Sequence, residues 1–157
     1  VTSLNNFFLV YYNALATGDT QILDDAYEDP SLAEYNTEMS DMIERISSIK
    51  VYITPGLEKN EVAAFVRYNI YFENIEVPAP SIDSFYIHMD TDSSSIRIMS
   101  RMYEDREVNE YMTLLSYKEP VRSLITETEN KLEESLKNNT DLRNIYVIMS
   151  SMGQDRD

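Results

Sequence analysis

Few residues in this chain have the type and spacing that catalysis requires. His88 is the only histidine, and a hydrolytic His–carboxylate pair would need a nucleophile beside it, which no motif marks. Strand alternation predicts that His88 shares a face with Tyr86 and Asp90, opposite Ile87. We therefore expect an exposed or half-buried histidine on a sheet.

Two acidic segments have the oxygen ligands that cations prefer. Asp90-Thr91-Asp92-Ser93-Ser94 spaces them suitably, but an EF-type calcium loop starting there would need glycine at position 95 and glutamate at position 101. The chain has Ser95 and Arg101 instead, so we interpret the segment as a polar hairpin turn. Asp24-Asp25 with Glu28-Asp29 is interpreted as a solvated acidic face. The sequence predicts no metal site and no cofactor.

Composition limits the classes of function. A chain of 157 residues with 43% apolar residues suits one compact domain with a core. The absence of cysteine excludes disulfides, thiolate catalysis and cysteine-ligated zinc. The net charge of −15 repels phosphate backbones and anionic lipids. We expect no nucleic-acid binding and no membrane-embedded segment, because no run approaches the roughly 18 apolar residues that span a bilayer.

The first third of the chain has the periodicity of helices. Apolar residues at helical spacing form one stripe: Leu4, Phe7, Phe8, Tyr11 and Leu15. Gly18 is predicted to end this helix, and Asp19 to cap a short second one. Asp29-Pro30 breaks the second helix. A third helix is then predicted, with an apolar face of Met39, Met42, Ile43 and Ile46.

The apolar period then changes from 3.6 to 2, which indicates strands. Alternation is expected from Ile49 to Ile53, and over an unusually long strand from Val62 to Phe72 that should bend or bulge. A hairpin follows, with strands around Ile82–Met89 and Ile96–Met102. Helices followed by about four antiparallel strands predict the α+β class.

The last third returns to helical spacing. One helix carries Val108, Tyr111, Met112 and Leu115, and another starts at Glu119-Pro120. Thr140 can cap a final helix, although the β-prone run Ile145–Ile148 leaves a strand open as the alternative. We predict one domain over residues 1–152, with helices and sheet over 1–103, further helices over 104–152, and a frayed tail at 153–157.

Two segments resemble NTF2-like proteins, which have a cystatin-like α+β cone. The first is Tyr11-Tyr12-Asn13-Ala14-Leu15-Ala16-Thr17-Gly18-Asp19, followed by Glu28-Asp29-Pro30. The second is Pro80-Ser81-Ile82-Asp83-Ser84-Phe85, which is similar to the hairpin entry of that superfamily. The resemblance covers about residues 4–103. It implies that the N-terminal helices pack in the concave face of a curved antiparallel sheet.

The remainder resembles a narrower group. Pro120 to Met149 is similar to NTF2-like domains that bacterial proteins with one N-terminal membrane span carry outside the membrane. The matching residues are Val121, Leu124, Ile125, Leu132, Asn139, Asp141 and Leu142. This resemblance implies an extracytoplasmic domain anchored by a span before Val1, and no known reaction.

Steroid-isomerase-like members of the superfamily suggest an enzymatic alternative. Their oxyanion hole uses a helix-one tyrosine and a hairpin aspartate, which the resemblance carries over to Tyr11 and Asp83. Asp83 would have to stay protonated to donate a hydrogen bond. The position aligned with their general base holds Tyr35, and neither Asp29, Glu34 nor Glu38 matches the spacing. The alternative interpretation makes Tyr11 a core residue and Asp83 a solvated residue at a strand edge.

Twelve tyrosines and no tryptophan leave two interpretations, a binding surface or a core that uses tyrosine in place of other aromatics. Our candidates for a ligand pocket are Phe7, Phe8, Tyr11, Tyr68, Asp83, Tyr86 and Met99. We expect the cavity beside Tyr11 to be small or plugged by tyrosine and methionine side chains. The favoured function is a non-enzymatic domain that binds a small hydrophobic ligand, a glycan or a protein, or dimerises through an open sheet face. The alternative is an isomerase or cyclase.

Overall fold

The computed structural model describes residues 2–90, 92 and 95–154, and within that part it is α+β with six α-helices and four strands. The elements are, in chain order, α1 Thr2–Thr17, α2 Thr20–Ala26, a 3₁₀ segment Pro30–Met42, β1 Ile43–Pro55, β2 Glu61–Phe72, β3 Ala79–Met89, β4 Ile96–Ile98, α3 Arg101–Glu104, α4 Arg106–Ser116, α5 Val121–Asn138 and α6 Thr140–Gln154. The α+β class is therefore confirmed.

Helix α1 has the buried stripe that its sequence predicts. Leu4, Phe8 and Leu15 are 1%, 0% and 6% exposed and pack in one core with the sheet. Gly18 ends the helix at φ +75°, a left-handed conformation that favours glycine. Asp19 then caps α2, because its side chain accepts a hydrogen bond from the Ile22 amide at 3.3 Å.

The prediction of a third helix is wrong for the second half of its residues. Residues Pro30–Met42 form a 3₁₀ segment, but Ile43 and Ile46 already belong to β1. They pair there with Phe72 and Ile70 of β2. Apolar residues three apart are compatible with a helix face, and here the long-range pairing with β2 overrides that local pattern.

The sheet is antiparallel, with strand order β1-β2-β3-β4. Its irregularities lie in β1, where extra residues fall between Ile43 and Arg45 and between Ser47 and Lys50. We expected the bend in the strand that became β2, which is regular. The last strand is shorter than predicted, because β4 ends at Ile98 and the chain turns into α3.

The sheet is covered on both faces. On what we call the inner face, β2 and β3 pack against α1, α2 and α6, through residues that include Val66, Phe85 and Leu142. On the outer face, Phe65 and Tyr86 pack against α4 and α5. The sheet face that we expected to be open to a partner copy therefore carries two helices of the same chain.

The C-terminal region consists of helices joined by short turns, with no strand among its described residues. The strand alternative at Ile145–Ile148 is wrong, because α6 continues to Gln154, into the predicted tail. Asn139, rather than Thr140, supplies the cap, accepting a hydrogen bond from the Leu142 amide at 2.9 Å. Residues 155–157 of that tail lie outside the described residues.

None of the described helices combines the length and apolar content needed to cross a bilayer.

Candidate functional site

The carboxylate of Asp83 is the acceptor of two tyrosine hydroxyls. Asp83 lies on β3 opposite Val66 of β2. Tyr12 Oη from α1 and Tyr68 Oη from β2 each lie 2.7 Å from the same oxygen, Asp83 Oδ2. The centroids of the two tyrosine rings are 4.3 Å apart. A helix and two strands thus converge on one part-buried carboxylate.

The tyrosine that reaches Asp83 is Tyr12, whereas the resemblance assigned this role to Tyr11. The Tyr11 hydroxyl lies 2.8 Å from the hydroxyl of Tyr27. Successive residues on a helix point about 100° apart. The Tyr12 hydroxyl accordingly reaches Asp83, while the Tyr11 ring packs against that of Phe85 on the same strand.

Asp83 is the acceptor in both hydrogen bonds of this cluster. Burial raises the pKa of Asp83, and the hydrogen bonds from Tyr12 and Tyr68 oppose that rise because they stabilise the carboxylate. Burial, followed by the nearby Asp83 charge, raises the pKa of Tyr12 and of Tyr68 well above the ordinary value. Both phenols therefore stay protonated and donate. An oxyanion hole needs the opposite, a protonated carboxyl that donates.

A cavity of about 510 Å³ adjoins Asp83 on the side of α5 and α6. Its lining is mainly apolar and includes Met39, Ile70, Leu132, Tyr146 and Met149. A second cavity, of about 390 Å³, reaches Asp83 from the side of α4 and is lined in part by Tyr103, Met112 and Ile125. Glu129 of α5 borders both. Volumes of this size are typical of small-molecule pockets.

The pocket residues chosen from the sequence fall into three places. Tyr68 and Asp83 line the 510 Å³ cavity. Phe7 and Tyr11 line a separate apolar groove of about 350 Å³ between α1 and α2. Tyr86 and Met99 lie in the core of the outer face.

Aromatic rings surround Tyr11, and the described residues that line the groove beside it include no methionine. Phe8, which is fully buried, packs its ring against those of Tyr11, Tyr12 and Phe85. Met99, expected to compete for this space, is on the other side of the sheet. The cavity of interest lies at Asp83, whose half-buried side chain is bonded to Tyr12 and Tyr68.

Sequence reasoning missed Tyr12, Glu129 and Tyr146. The Tyr11-Tyr12 pair was visible, but the choice between them depends on how α1 is rotated against the sheet. Glu129 and Tyr146 come from helices more than 40 residues beyond Asp83, and no local spacing connects them to it. Only the packing of α5 and α6 on the sheet brings them to the cavity.

In the described part of the chain, none of the positions considered from the sequence for an isomerase's general base lines the cavity at Asp83, whereas Glu129 does. The side chains of Glu34, Tyr35 and Glu38 lie outside the described residues. Asp29 accepts hydrogen bonds from the Ser31 amide at 3.1 Å and the Ser31 hydroxyl at 2.7 Å, as a helix cap does.

The remaining candidates from the sequence are His88 and the acidic segments. His88 is half-buried, with Nε2 3.0 Å from Asp90 Oδ1, as its strand position predicts. Thr91, Ser93 and Ser94 of the polar turn lie outside the described residues. Over 2–90, 92 and 95–154, no three acidic or histidine side chains come together as a metal site would require.

A second buried carboxylate, Glu61, is fully paired. It is 7% exposed, and it accepts a hydrogen bond from Tyr86 Oη at 2.7 Å and a charged one from Arg101. Arg101 also contacts Asp105 at 3.0 Å, and Asp105 caps α4. These contacts join the β1–β2 turn to α3 and α4, and we assign them a structural role.

Comparisons of this chain with family models, with curated proteins and with solved structures found no match.

Proposed function

We propose that this chain is a non-enzymatic NTF2-like domain that binds a small, largely apolar ligand in the 510 Å³ cavity at Asp83. The observation that supports this most directly is the position of the Asp83 carboxylate. It is held by Tyr12 and Tyr68 beside a space lined by methionine, leucine and isoleucine. Pockets with apolar walls and one or two fixed polar groups are typical of small-ligand sites.

The Asp83 carboxylate determines which polar group the ligand should carry. Both tyrosines bond Asp83 Oδ2, and in the described part of the chain no group donates to Oδ1. Oδ1 can therefore accept from a ligand. A hydroxyl or amine on an otherwise apolar molecule fits this arrangement, because it can donate a hydrogen bond to this carboxylate oxygen.

The family assignment within this proposal rests on the two resembling segments and on their packing. Helix α1, which contains Tyr11–Thr17, lies against the inner face of the sheet, as an NTF2-like cone requires. In addition, Tyr27 forms a parallel bridge with Ile98 of β4, which joins the segment after α2 to the far strand.

The alternative is an isomerase or cyclase in the same cavity, favoured by the fact that Asp83 faces it. The hydrogen bonds argue against that alternative, because Asp83 accepts from both tyrosines. Isomerisation of an unsaturated ketosteroid, followed by the absorbance of the conjugated product, separates the two. We expect no turnover above buffer. Turnover that is lost in Asp83→Asn would establish the enzyme instead.

Ligand binding can be tested by thermal shift with panels of steroids, glycans and peptides. A ligand at roughly 100 times its Kd stabilises the folded protein by about 2.7 kcal/mol, so a hit should raise the Tm. Ser150 borders the cavity and is exposed, whereas Ser151 is exposed on the same helix and is not part of the lining. Ser150→Trp should abolish the shift and Ser151→Trp should retain it. Equal loss in both variants would contradict binding at this cavity.

We also propose that the domain is extracytoplasmic and belongs to a membrane-anchored protein. This part rests on the resemblance of Pro120–Met149 alone. Protease treatment of intact cells that express the full-length protein should digest the domain. Protection of the domain until the cells are lysed would contradict it.

A further inference from the structure

Three cations come together on the outer face of the sheet. Lys50 of β1 and Arg67 of β2 are partners in the antiparallel register. Lys131 of α5 lines the same cavity, which has a volume of about 410 Å³. The chain has 13 Lys and Arg against 28 Asp and Glu, so three cations in one cavity run against its overall composition.

The pairing of Lys50 with Arg67 works against stability. Like charges directly opposite each other on neighbouring strands are destabilising. The irregularity between Ser47 and Lys50, where Ser48 has φ +58°, sets this register. Without the extra residue in β1, Lys50 would not be placed opposite Arg67.

Acidic neighbours compensate these charges only in part. Glu127 Oε2 is 3.7 Å from Arg67 Nη1, and the Glu127 side chain is 59% exposed, so this pair contributes little. Glu134 is the one acidic residue among those lining the cavity. The cavity therefore keeps an excess of positive charge within a strongly acidic molecule.

The rest of the cavity wall is suited to hydrogen bonding. Hydroxyl and amide side chains of Ser48, Asn69 and Ser135 line it. The hydroxyls of Ser81 and Thr128 also border it, but they donate to the carbonyls of Ala79 at 3.4 Å and Leu124 at 2.7 Å. Lysine and arginine give charge-assisted hydrogen bonds to tetrahedral oxyanions, and arginine does so with two parallel N–H groups. The volume exceeds that of a single oxyanion and is in the range of small-ligand pockets.

We propose that this cavity binds the phosphate or sulfate group of a small polar ligand, held by Lys50, Arg67 and Lys131. The site goes beyond the proposed ligand cavity at Asp83. An anion bound between Lys50 and Arg67 would convert a repulsive pair into two attractive contacts. Because the surrounding surface repels anions, the expected binding is local to this cavity and not a general attraction to polyanions.

The test is thermal shift and calorimetry on the whole chain in Tris chloride at constant ionic strength. The probes are inorganic phosphate, glucose 6-phosphate, and glucose as the neutral control. We expect a saturable rise in Tm with both phosphates, tighter binding of glucose 6-phosphate, and no effect of glucose. Lys131→Gln, at an exposed position, should weaken the phosphate affinity by roughly tenfold or more.

Two further variants distinguish phosphate binding at this cavity from a general effect of net charge on stability. Lys50→Gln should raise the Tm in chloride, because it relieves the repulsion with Arg67, and should lose the phosphate-dependent shift. Lys59→Gln removes one positive charge from the β1–β2 turn, outside the cavity, and should behave like wild type.

Three results would overturn the proposal. The first is no phosphate-dependent stabilisation at matched ionic strength. The second is an equal loss of affinity in Lys59→Gln and Lys131→Gln. The third is equal affinity for phosphate and glucose 6-phosphate, because the site would then recognise only the anion and not a ligand that carries it. The two cavities share Tyr68, Pro80, Ser81 and Thr128, but Ser150 lines only the one at Asp83. Ser150→Trp should therefore retain the phosphate-dependent shift, which distinguishes failure here from failure of the ligand proposal at Asp83.

Discussion

Tyr12, on the first helix, donates a hydrogen bond to Asp83 on the third strand, with 2.7 Å between Tyr12 Oη and Asp83 Oδ2. This contact joins residues 71 positions apart in the chain. It couples the N-terminal helix to the sheet at the cavity where we propose that a ligand binds. The neighbouring Tyr11 makes a different bond, to Tyr27.

Removing the Tyr12 hydroxyl should therefore destabilise the fold. Tyr12→Phe removes a bond to a carboxylate, a class that contributes about 1.5–3 kcal/mol. Urea unfolding measures the loss. Tyr117→Phe is the control, because Tyr117 is 72% exposed. Equal stability of Tyr12→Phe and Tyr117→Phe would contradict the assignment.

Asp83 should make stability fall as pH rises. Burial raises the pKa of Asp83 in the folded state, so the native protein binds this proton more tightly than the unfolded chain does. The resulting stabilisation is complete below the pKa of an unfolded aspartate, about 3.9, and is lost as pH rises through the folded pKa. Measured by urea unfolding from about pH 4 to pH 8, wild type should lose stability relative to Asp83→Asn.

Asp105 provides a control, because its contribution to stability should change with pH in the opposite direction. The hydrogen bond from Arg101, followed by the Val108 amide, lowers the pKa of Asp105. Its contribution is present above the pKa of an unfolded aspartate and is lost as pH falls through the folded pKa. Wild type should therefore gain stability over Asp105→Asn as pH rises through the acidic range. In each case the quantity compared is the difference in stability between wild type and the Asn variant. If this difference changed with pH in the same direction at Asp83 and at Asp105, the assignment for Asp83 would be refuted.

Arg101→Gln should destabilise the protein strongly. It leaves the Glu61 carboxylate, whose side chain is 5% exposed, without its cation. Removing one partner of a buried ion pair costs about 3–5 kcal/mol. The double variant Glu61→Gln/Arg101→Gln should be less destabilised than Arg101→Gln alone, because no charge is then buried. Arg106→Gln, at a side chain that is 92% exposed, is the matched control and should cost below about 0.5 kcal/mol.

Gly56→Ala should also be destabilising, for a steric reason. A Cβ at this position would lie 2.7 Å from Tyr86 Oη and 2.8 Å from the Glu61 backbone carbon. Overpacking of this kind costs about 1–3 kcal/mol. Chemical unfolding of Gly56→Ala measures the cost, with Lys59→Ala in the same turn as the control. Equal stability of the two variants would show that the turn has room to relax.

Much of the fold follows from periodicity. The stripe from Leu4 to Leu15 and the alternation from Val62 to Phe72 predicted α1 and β2 correctly, because an element with one buried face repeats apolar residues at its own period. The break at Gly18 and the cap at Asp19 were also predictable, since both depend on local backbone geometry.

The errors have a common origin in long-range pairing. Ile43 and Ile46 have a spacing compatible with a helix, and they became a strand because β2 pairs with them. Ile145–Ile148 are β-prone, and they are helical because α6 buries Leu142 and Tyr146 against the core. Local propensity is a weak term compared with such burial.

The sequence by itself determined the α+β class, the first helix and the alternating strands, because each depends on residues near one another in the chain. Only the tertiary structure decided that Tyr12 donates to Asp83, and that Lys50 lies opposite Arg67 in a cavity that Lys131 also lines. Those contacts depend on the rotation of α1, on an extra residue in β1 and on the position of α5. Each of these is set by packing between distant segments, which local sequence does not encode.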